Sequence, residues 1–439
     1  MYFNVKFDYI QIYMSYSLET LQQINYWETE PNFNLGFMRH KYTNVIWHSF
    51  GNKLIKVIIG QRRTGKSYIV RQLINKLLTE EKVNTKNIFY LNKEMFEFEN
   101  IQTASDLSEI IKLYESTYKP KGKVYLFIDE VQNISEWQKI IVSLAQHTVK
   151  EYEIVITGSN SKLLSGELAT LLSGRYIVTE VFPFSYPEYC EVKELKNSKE
   201  TFIQYISSSG LPESFNLSSN DTIVHYFQSL KNTILLKDIM YRHKIRDYVL
   251  LEDIFLFLLH NVGNMTSIPS ILKYFKDKNR KSDYTTISQY ISFMQDAYII
   301  HEAPRMSIKT KGLLSGEKKY FINDLGFRNY LYPSLVNDIG AILENIVYTH
   351  LRTAGYTIKL VVGKGYEVDF VAEKDNNKQY IQVSYVMPTS KTIEREFGGL
   401  EKINDNLPKY VVSMDDLLIK RESGIVHKHI WDYIYELTL

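Results

Sequence analysis

The 439-residue chain contains a single cysteine, Cys190, which excludes an intrachain disulfide framework. So little cysteine fits a reducing compartment, and we expect a cytoplasmic protein. Glycine and proline are also few, at 20 and 10 residues, which excludes a collagen-like or low-complexity chain. No apolar stretch approaches the ~20 residues that a membrane helix needs, so no membrane partner is expected. The first residues lack the basic start and unbroken apolar core of a signal peptide.

Charge is nearly balanced over the whole chain, with 52 basic and 50 acidic side chains. This balance excludes a uniformly basic nucleic-acid-binding surface but leaves room for a local basic patch. Residues 231–320 form such a block, because they carry 15 basic and 9 acidic side chains. At roughly 100–200 residues per domain, the length predicts two to four domains.

Apolar runs alternate with helical periodicity in the first half of the chain. The run 54–59 ends at Gly60, and apolar residues between Ile69 and Leu78 then recur every three or four positions. Three further strands are predicted, at 87–91, 123–128 and 153–157. Strands that alternate with helices predict an α/β fold whose mostly parallel sheet is covered on both faces.

A phosphate-loop (Walker A) motif follows the first of these strands. Residues 60–67 fit its pattern in full, with an apolar strand before them and a periodic helix after them. Backbone N–H groups of such a loop wrap phosphates, and the helix that follows adds its positive end. Lys66 is predicted to reach the β- and γ-phosphates, and Ser67 to bind Mg²⁺. The residues expected to bind the nucleotide are Gly60, Gln61, Arg62, Arg63, Thr64, Gly65, Lys66 and Ser67.

Polar residues at the ends of two later strands complete the predicted catalytic set. Asp129 ends an apolar strand in the manner of a Walker B motif and is expected to hold Mg²⁺, while Glu130 is expected to activate water as a general base. Asn160 follows the next strand and could orient that water. Arg175 could stabilise charge in the transition state, although a surface or ion-paired arginine is an equal alternative. The Asn-Lys-x-Asp element of guanine-specific sites does not follow the acidic strand, so the expected cofactors are ATP and Mg²⁺.

These motifs resemble those of AAA+-type P-loop ATPases of bacteria and archaea that carry a C-terminal domain similar to restriction-endonuclease folds. The segments that carry the resemblance are 60–67, 128–132, 157–160, 172–175 and 182–186. The resemblance implies an ATP-hydrolysing core, a winged-helix segment and a nuclease-like end. It also implies that Arg175 acts on a neighbouring subunit, and therefore a homo-oligomer.

Four segments are predicted along the chain on this basis. They are an N-terminal extension at 1–35, an AAA+-like P-loop ATPase domain at 36–195, a helical linker and winged-helix domain at 196–320, and a restriction-endonuclease-like domain at 321–439.

The basic block resembles a winged helix-turn-helix, because residues 251–305 read as three helices and a strand. Its exposed cations would be Lys273, Lys276, Lys278, Arg280, Lys281, Lys309 and Lys311. Such side chains could bind DNA phosphates, which makes DNA a candidate partner of residues 231–320. A protein-binding winged helix with a solvated basic face is the alternative.

The last segment contains part of a nuclease-like constellation. Sites of this type combine a helix glutamate, an acid at a strand end and an acid-x-lysine on the next strand. Glu344 and Asp369 fit the first two elements, and Gln382 aligns with the third acid. Ser384 stands where the lysine is expected and cannot replace it, since a hydroxyl carries no charge at neutral pH. We therefore expect a catalytically degenerate domain that is used for binding or assembly.

The sequence as a whole predicts an ATP-binding, Mg²⁺-dependent ATPase that associates with DNA. Two alternatives stay open: a nucleotide-gated assembly module with little turnover, and an ATP-regulated DNA nuclease.

Overall fold

The computed structural model describes residues 18–25, 33–164, 174–333, 338–421 and 423–438. The chain divides into two compact units. The first unit ends at Val181, and the second begins at Phe182 and also includes the loop residues Gln61–Thr64. The predicted N-terminal extension, 1–35, falls largely outside the described residues. The predicted boundaries at 35, 195 and 320 stay predictions.

A five-stranded parallel sheet forms the centre of the first unit. Its strands are β1 Ile55–Ile59, β2 Ile88–Asn92, β3 Val124–Asp129, β4 Tyr152–Gly158 and β5 Tyr176–Glu180. They lie in the order β2-β3-β4-β1-β5, and every neighbouring pair is parallel. Because parallel strands end at the same edge, the loops after β1, β3 and β4 meet there. The predicted parallel α/β sheet is confirmed, and β5 is a strand that the sequence did not predict.

Helices cover this sheet. They are α1 Leu18–Ile24, α2 His40–Trp47, α3 Lys66–Thr79, α4 Ala104–Tyr118 and α5 Trp137–Ala145. Short 3₁₀ turns occupy Thr85–Asn87, Phe96–Phe98, Val131–Asn133 and Ser161–Leu164. The apolar stripe that predicted α3 is buried in the core of the unit, since Ile69, Leu73 and Ile74 are inaccessible to solvent.

The second unit begins with helices. In chain order these are α6 Tyr186–Val192, α7 Lys199–Ile206, α8 Asn220–Thr233, α9 Tyr248–His260, α10 Ile268–Asp277, α11 Tyr284–Asp296, α12 Gly326–Leu331, α13 Ile339–Thr353, α14 Ser390–Glu401 and α15 Ile430–Thr438. A 3₁₀ turn lies at Pro212–Asn216, and a π-helix, Ile234–Tyr241, continues directly from α8. The three helices predicted for the basic block are α9, α10 and α11. Asp283 caps α11 by accepting a hydrogen bond from the Thr286 N–H at 2.9 Å.

An eight-stranded mixed sheet runs through the second unit. Its strands are β6 Met265–Thr266, β7 Ile300–Ser307, β8 Leu313–Ile322, β9 Thr357–Gly363, β10 Tyr366–Lys374, β11 Asn377–Val383, β12 Lys409–Ser413 and β13 Val426–His429. The order is β13-β12-β11-β10-β9-β7-β8-β6. The hairpin β7–β8 of the basic block joins the C-terminal strands where β7 pairs in parallel with β9. One sheet therefore extends through both the predicted winged-helix segment and the predicted endonuclease-like segment.

Within the part of the chain that the structure describes, no helix has both the length and the apolar character of a membrane span.

Candidate nucleotide-binding site

Two glycines shape the loop that follows β1. Gly60 has a φ of +142°, and a Cβ atom at this position would lie 2.3 Å from the carbonyl oxygen of Val181. Gly65 has a φ of +95° and is the residue before α3. Only glycine adopts such conformations without strain, and only glycine leaves space for Val181. The two glycines of the Walker A pattern are therefore required by the backbone itself.

The start of α3 is a suitable place for an anion. Gly65 has no side chain that could cap the N–H groups of the first helical turn, and that turn begins with Lys66 and Ser67. The N–H groups of this turn and the positive end of the helix dipole favour a phosphate at this position.

Lys66 is buried and folds back over the loop. Its Nζ donates to the Gly60 carbonyl oxygen at 3.0 Å and lies 3.7 Å from Oε1 of Glu130. A bound phosphate group would compete with both oxygens for the ammonium group, because a phosphate carries more negative charge than either partner. The lysine is thus already in the site and needs only a small movement to bind a nucleotide.

Asp129 is completely buried at the end of β3. Its carboxylate accepts hydrogen bonds from the Thr157 hydroxyl and from the Tyr90 hydroxyl at 3.4 Å, and the Ser67 hydroxyl lies close to it. Burial, and then the neighbouring charge of Glu130, raise the pKa of Asp129 above its usual range, against the hydrogen bonds and Lys66. Burial in this site therefore disfavours the charged form of the Asp129 carboxyl group.

Ser67 and Asp129 together fit a magnesium ion. They bring one hydroxyl and one carboxylate into contact, and in phosphate sites Mg²⁺ is bound by such groups together with phosphate oxygens. The residues that the structure describes contain no group of three or more His, Cys, Asp or Glu side chains that could hold a metal ion by themselves. Nucleotide phosphates would therefore have to supply further ligands.

Glu130 is held by residues for which the sequence predicted no role. Its backbone is left-handed, with a φ of +56°, and its N–H donates to the Thr157 hydroxyl at 3.0 Å. Its carboxylate accepts hydrogen bonds from the Gln132 amide and from the Ser159 hydroxyl, the latter at 3.0 Å. Both donors flank recognisable motifs, since Gln132 follows the acidic pair and Ser159 precedes Asn160. Their contact with Glu130 could be inferred only from the sheet order.

The structure separates the other two predicted catalytic residues. Asn160 is buried directly after β4, at the sheet edge that also carries Asp129. Arg175 is exposed and precedes β5, and its carbonyl oxygen accepts a hydrogen bond from the Ile55 N–H at 2.9 Å. Arg175 thus lies at the amino end of β1, while the phosphate loop follows the carboxyl end, roughly 15 Å away at ~3.3 Å per strand residue. Leu172 and Ser173, which belong to the same motif, lie outside the described residues.

The C-terminal acids have an unexpected partner. Nζ of Lys319, in β8, donates to Glu344 at 2.7 Å and to Asp369 at 3.2 Å. Burial acts against the charged form of this lysine, but the two carboxylates outweigh burial and raise its pKa. Burial and the charge of Asp369 raise the pKa of Glu344. A lysine from another strand thus places one positive charge between the two acids, and no signal near Ser384 could have revealed it.

Gln382 lies beside the same acids. Its side-chain oxygen accepts a hydrogen bond from the Asp369 N–H at 3.4 Å, and its amide donates to Glu396 at 2.9 Å. Glu344, Asp369 and Gln382 all border a cavity of about 640 Å³. The structure therefore brings the three predicted residues together.

Most of the cations predicted to face DNA are exposed. The exposed members are Lys273, Lys276, Lys278, Lys281, Lys309 and Lys311. Arg280 differs, because it forms ion pairs with Asp247 at 3.2 Å and Asp253 at 2.7 Å. Arg280 therefore has a structural role in addition to its charge.

Comparison with known families agrees with this geometry. Residues 52–190 match the model of an AAA domain, and residues 199–338 match a domain of unknown function, DUF8612. The first match spans the phosphate loop, Asp129 and Glu130, so the first unit is an AAA-type P-loop module that binds ATP.

Whole-chain relatives extend the match. An uncharacterized protein of Haemophilus influenzae is 32% identical over 379 residues, which cover 85% of this chain and 92% of the relative. The uncharacterized protein MJ1544 of Methanocaldococcus jannaschii is 32% identical over 363 residues, or 79% of this chain and 78% of the relative. The chain belongs to the protein family that these two relatives represent.

Solved structures show more distant likeness. Cdc6p of Pyrobaculum aerophilum is 13% identical, covers 69% of this chain and 94% of its own length, and has a TM-score of 0.30. The ADP form of ORC2 of Aeropyrum pernix is 8% identical, covers 72% of this chain and 97% of its own length, and has a TM-score of 0.37. Likeness at this level assigns no ligand or partner to the chain.

Replacement of Asp129 by asparagine is expected to stabilise the nucleotide-free protein at neutral pH. When folding raises the pKa of a carboxyl group, the folded protein loses stability as the pH rises from the usual pKa to the raised one. Asparagine keeps the shape of the side chain without its charge. We expect a gain of roughly 0.5–2 kcal/mol in the free energy of unfolding at pH 7, measured by urea denaturation. The gain should shrink towards pH 4, near the usual pKa of an aspartate. A variant that is equally or less stable at pH 7 would contradict the argument.

Proposed function

We propose that this protein hydrolyses ATP and uses the cycle to change the state of its second unit. The proposal is carried by Glu130, a buried carboxylate beside the lysine of a phosphate loop and held by two hydrogen-bond donors. A carboxylate in such a place is suited to accept a proton from the attacking water.

Each residue of the site has a definite task in this proposal. Lys66 exchanges the Gly60 carbonyl and Glu130 for phosphate oxygens, which frees Oε1 of Glu130 to accept a proton. The Gln132 amide and the Ser159 hydroxyl keep the other carboxylate oxygen in place, and Asn160 positions the water. Ser67 and Asp129 would hold Mg²⁺, which neutralises phosphate charge when it is bound.

Two substitutions separate binding from turnover. Lys66→Ala should abolish both, while Glu130→Gln should still bind ATP and lose about 10²–10⁴-fold in kcat, since only the general base is removed. Phosphate release and binding of a fluorescent ATP analogue measure the two effects, and Lys112→Ala, an exposed lysine of α4, is the matched control. If wild-type turnover is no faster than that of Lys66→Ala, with and without DNA, the protein is not an ATPase. Tight binding without turnover would favour the alternative, a nucleotide-gated assembly module.

Arg175 is proposed to act on the site of a neighbouring subunit in a homo-oligomer. The support is its exposure at the sheet edge opposite to the phosphate loop, from which it cannot reach the loop of its own chain. A head-to-tail arrangement of subunits would place the arginine of one copy against the nucleotide of the next.

Mixing two inactive variants tests this arrangement. Arg175→Ala has an intact phosphate loop, and Lys66→Ala has an intact arginine, so a mixed interface contains one complete site. Equal amounts should recover about a quarter of wild-type turnover, the fraction of interfaces with the productive order in a heterologous assembly. Each variant alone is the control. A mixture that stays as inactive as its components, or a monomeric wild type in light scattering with ATP, would exclude action in trans.

DNA is proposed as a partner of the basic block, residues 231–320, within a winged helix formed by α9, α10, α11 and the β7–β8 hairpin. The support is the exposure of six of its seven predicted cations. For the C-terminal segment we propose an endonuclease-like fold without cleavage activity. The support is that Glu344 and Asp369 already form ion pairs with Lys319.

Neutralising Lys273, Lys276 and Lys281 together should weaken duplex binding. Each phosphate contact contributes about 0.9 to the slope of log affinity against log salt, so the slope should fall by about 2–3. Fluorescence anisotropy between 50 and 200 mM salt, roughly the range over which such contacts matter, measures it. The control neutralises Lys82, Lys112 and Lys121, exposed lysines of the first unit. Equal slopes for both triple variants would exclude this surface, and cleavage of the DNA that Asp369→Asn abolishes would restore the nuclease alternative.

A further inference from the structure

The phosphate loop has side-chain partners that its motif does not foretell. The four residues Gln61–Thr64 belong to the second unit, and three of them contact side chains of that unit. These contacts lie immediately before Gly65 and Lys66, in the stretch whose backbone would wrap the phosphates.

Arg62 makes the strongest of these contacts, with Asp238. Its Nε donates to Oδ2 at 2.9 Å and its Nη2 donates to Oδ1 at 3.0 Å, so the guanidinium and carboxylate planes form a two-pronged pair. The side chain of Arg62 is 10% exposed and that of Asp238 is 2% exposed. Such a fork fixes direction as well as distance, which a single ion pair does not.

The backbone around Asp238 is unusual in the same place. Asp238 lies in the π-helix Ile234–Tyr241, in which the hydrogen-bonding register is one residue wider than in the preceding α8. Segments of this kind are rare and are frequently found at functional sites. Asp238, whose carboxylate accepts the hydrogen bonds of Arg62, lies within this segment.

Two neighbouring loop residues have weaker partners. Gln61 accepts a hydrogen bond through Oε1 from the Asn323 amide at 2.9 Å, within a buried environment. Arg63 lies 3.7 Å from Glu213, but both side chains are half exposed, so this ion pair contributes little. Glu213, Asp238 and Asn323 all lie within residues 199–338, the stretch that matches DUF8612.

We propose that Asp238 is a positioning residue for the phosphate loop, and that the segment 199–338 holds that loop in the conformation that binds phosphate. The proposal rests on the proposed nucleotide site. A loop whose N–H groups are arranged before the ligand arrives loses less conformational entropy on binding. Asp238 never touches the nucleotide in this account, and it acts only through Arg62.

The first test needs no nucleotide. Asp238→Asn keeps the size of the side chain and removes its charge, so the Arg62 fork is lost. Amide hydrogen exchange at residues 61–64 of the nucleotide-free protein should become about tenfold faster or more, with exchange elsewhere in the second unit unchanged. The matched control is Glu252→Gln, which breaks the partly buried Lys231–Glu252 pair of the same helical region without touching the loop. Unchanged exchange at 61–64, or an equal increase in the control, would overturn the proposal.

The second test uses ATP binding. Asp238→Asn should weaken binding about tenfold or more, as expected for losing charge-assisted hydrogen bonds. Arg62→Gln should weaken it similarly, and the double variant should be no worse than either single one, because both remove the same contact. Additive losses would show that the two residues act separately and would overturn the proposal. A wild type that does not bind ATP would instead refute the proposed function, while the exchange experiment still decides on Asp238.

Discussion

The nucleotide site depends on keeping one lysine and two carboxylates out of water within reach of one another. Lys66, Asp129 and Glu130 are all buried, and their charges sum to an excess of one negative charge. Burying charge is costly unless it is paired and hydrogen-bonded, and here Gly60, Gln132, Ser159 and Thr157 supply hydrogen bonds to the three side chains. The raised pKa of Asp129 reflects the cost of burying its charge. A phosphate chain with its cation would bring charges of both signs to this cluster.

The parallel sheet stabilises this cluster of buried charges. Strands β1, β3 and β4 end at one edge, where Thr157 donates to Asp129 and accepts from the backbone of Glu130. A single hydroxyl thus ties the two carboxylate residues to the neighbouring strand. Ser159 then joins the same network from the turn after β4. Each carboxylate is held by the strand beside it, because the register of the sheet brings the two strand ends level.

Prediction from the sequence was most specific where the pattern is local. The spacing of Gly60, Gly65, Lys66 and Ser67 reflects one turn of backbone, and Asp129 closes a strand whose apolar run is visible by itself. It failed where a partner comes from far along the chain. Lys319 reaches Glu344 and Asp369 across 25 and 50 residues, and Asp238 reaches Arg62 across 176. Such pairs leave no periodicity or motif, since their meeting depends on how the sheets and helices are assembled. Strand β5 escaped notice for a related reason, because its residues are only partly buried and alternate weakly.

The pairing of β7 with β9 limits where this chain can be divided into fragments. A chain cut near residue 320 would leave β7 and β9 with unpaired edges, and exposed edges of this kind invite aggregation. The helices before the cut and the strands after it therefore share one sheet and protect one another's edges. A fragment that kept only one of them would need another strand, a covering helix or charged side chains to protect the open edge.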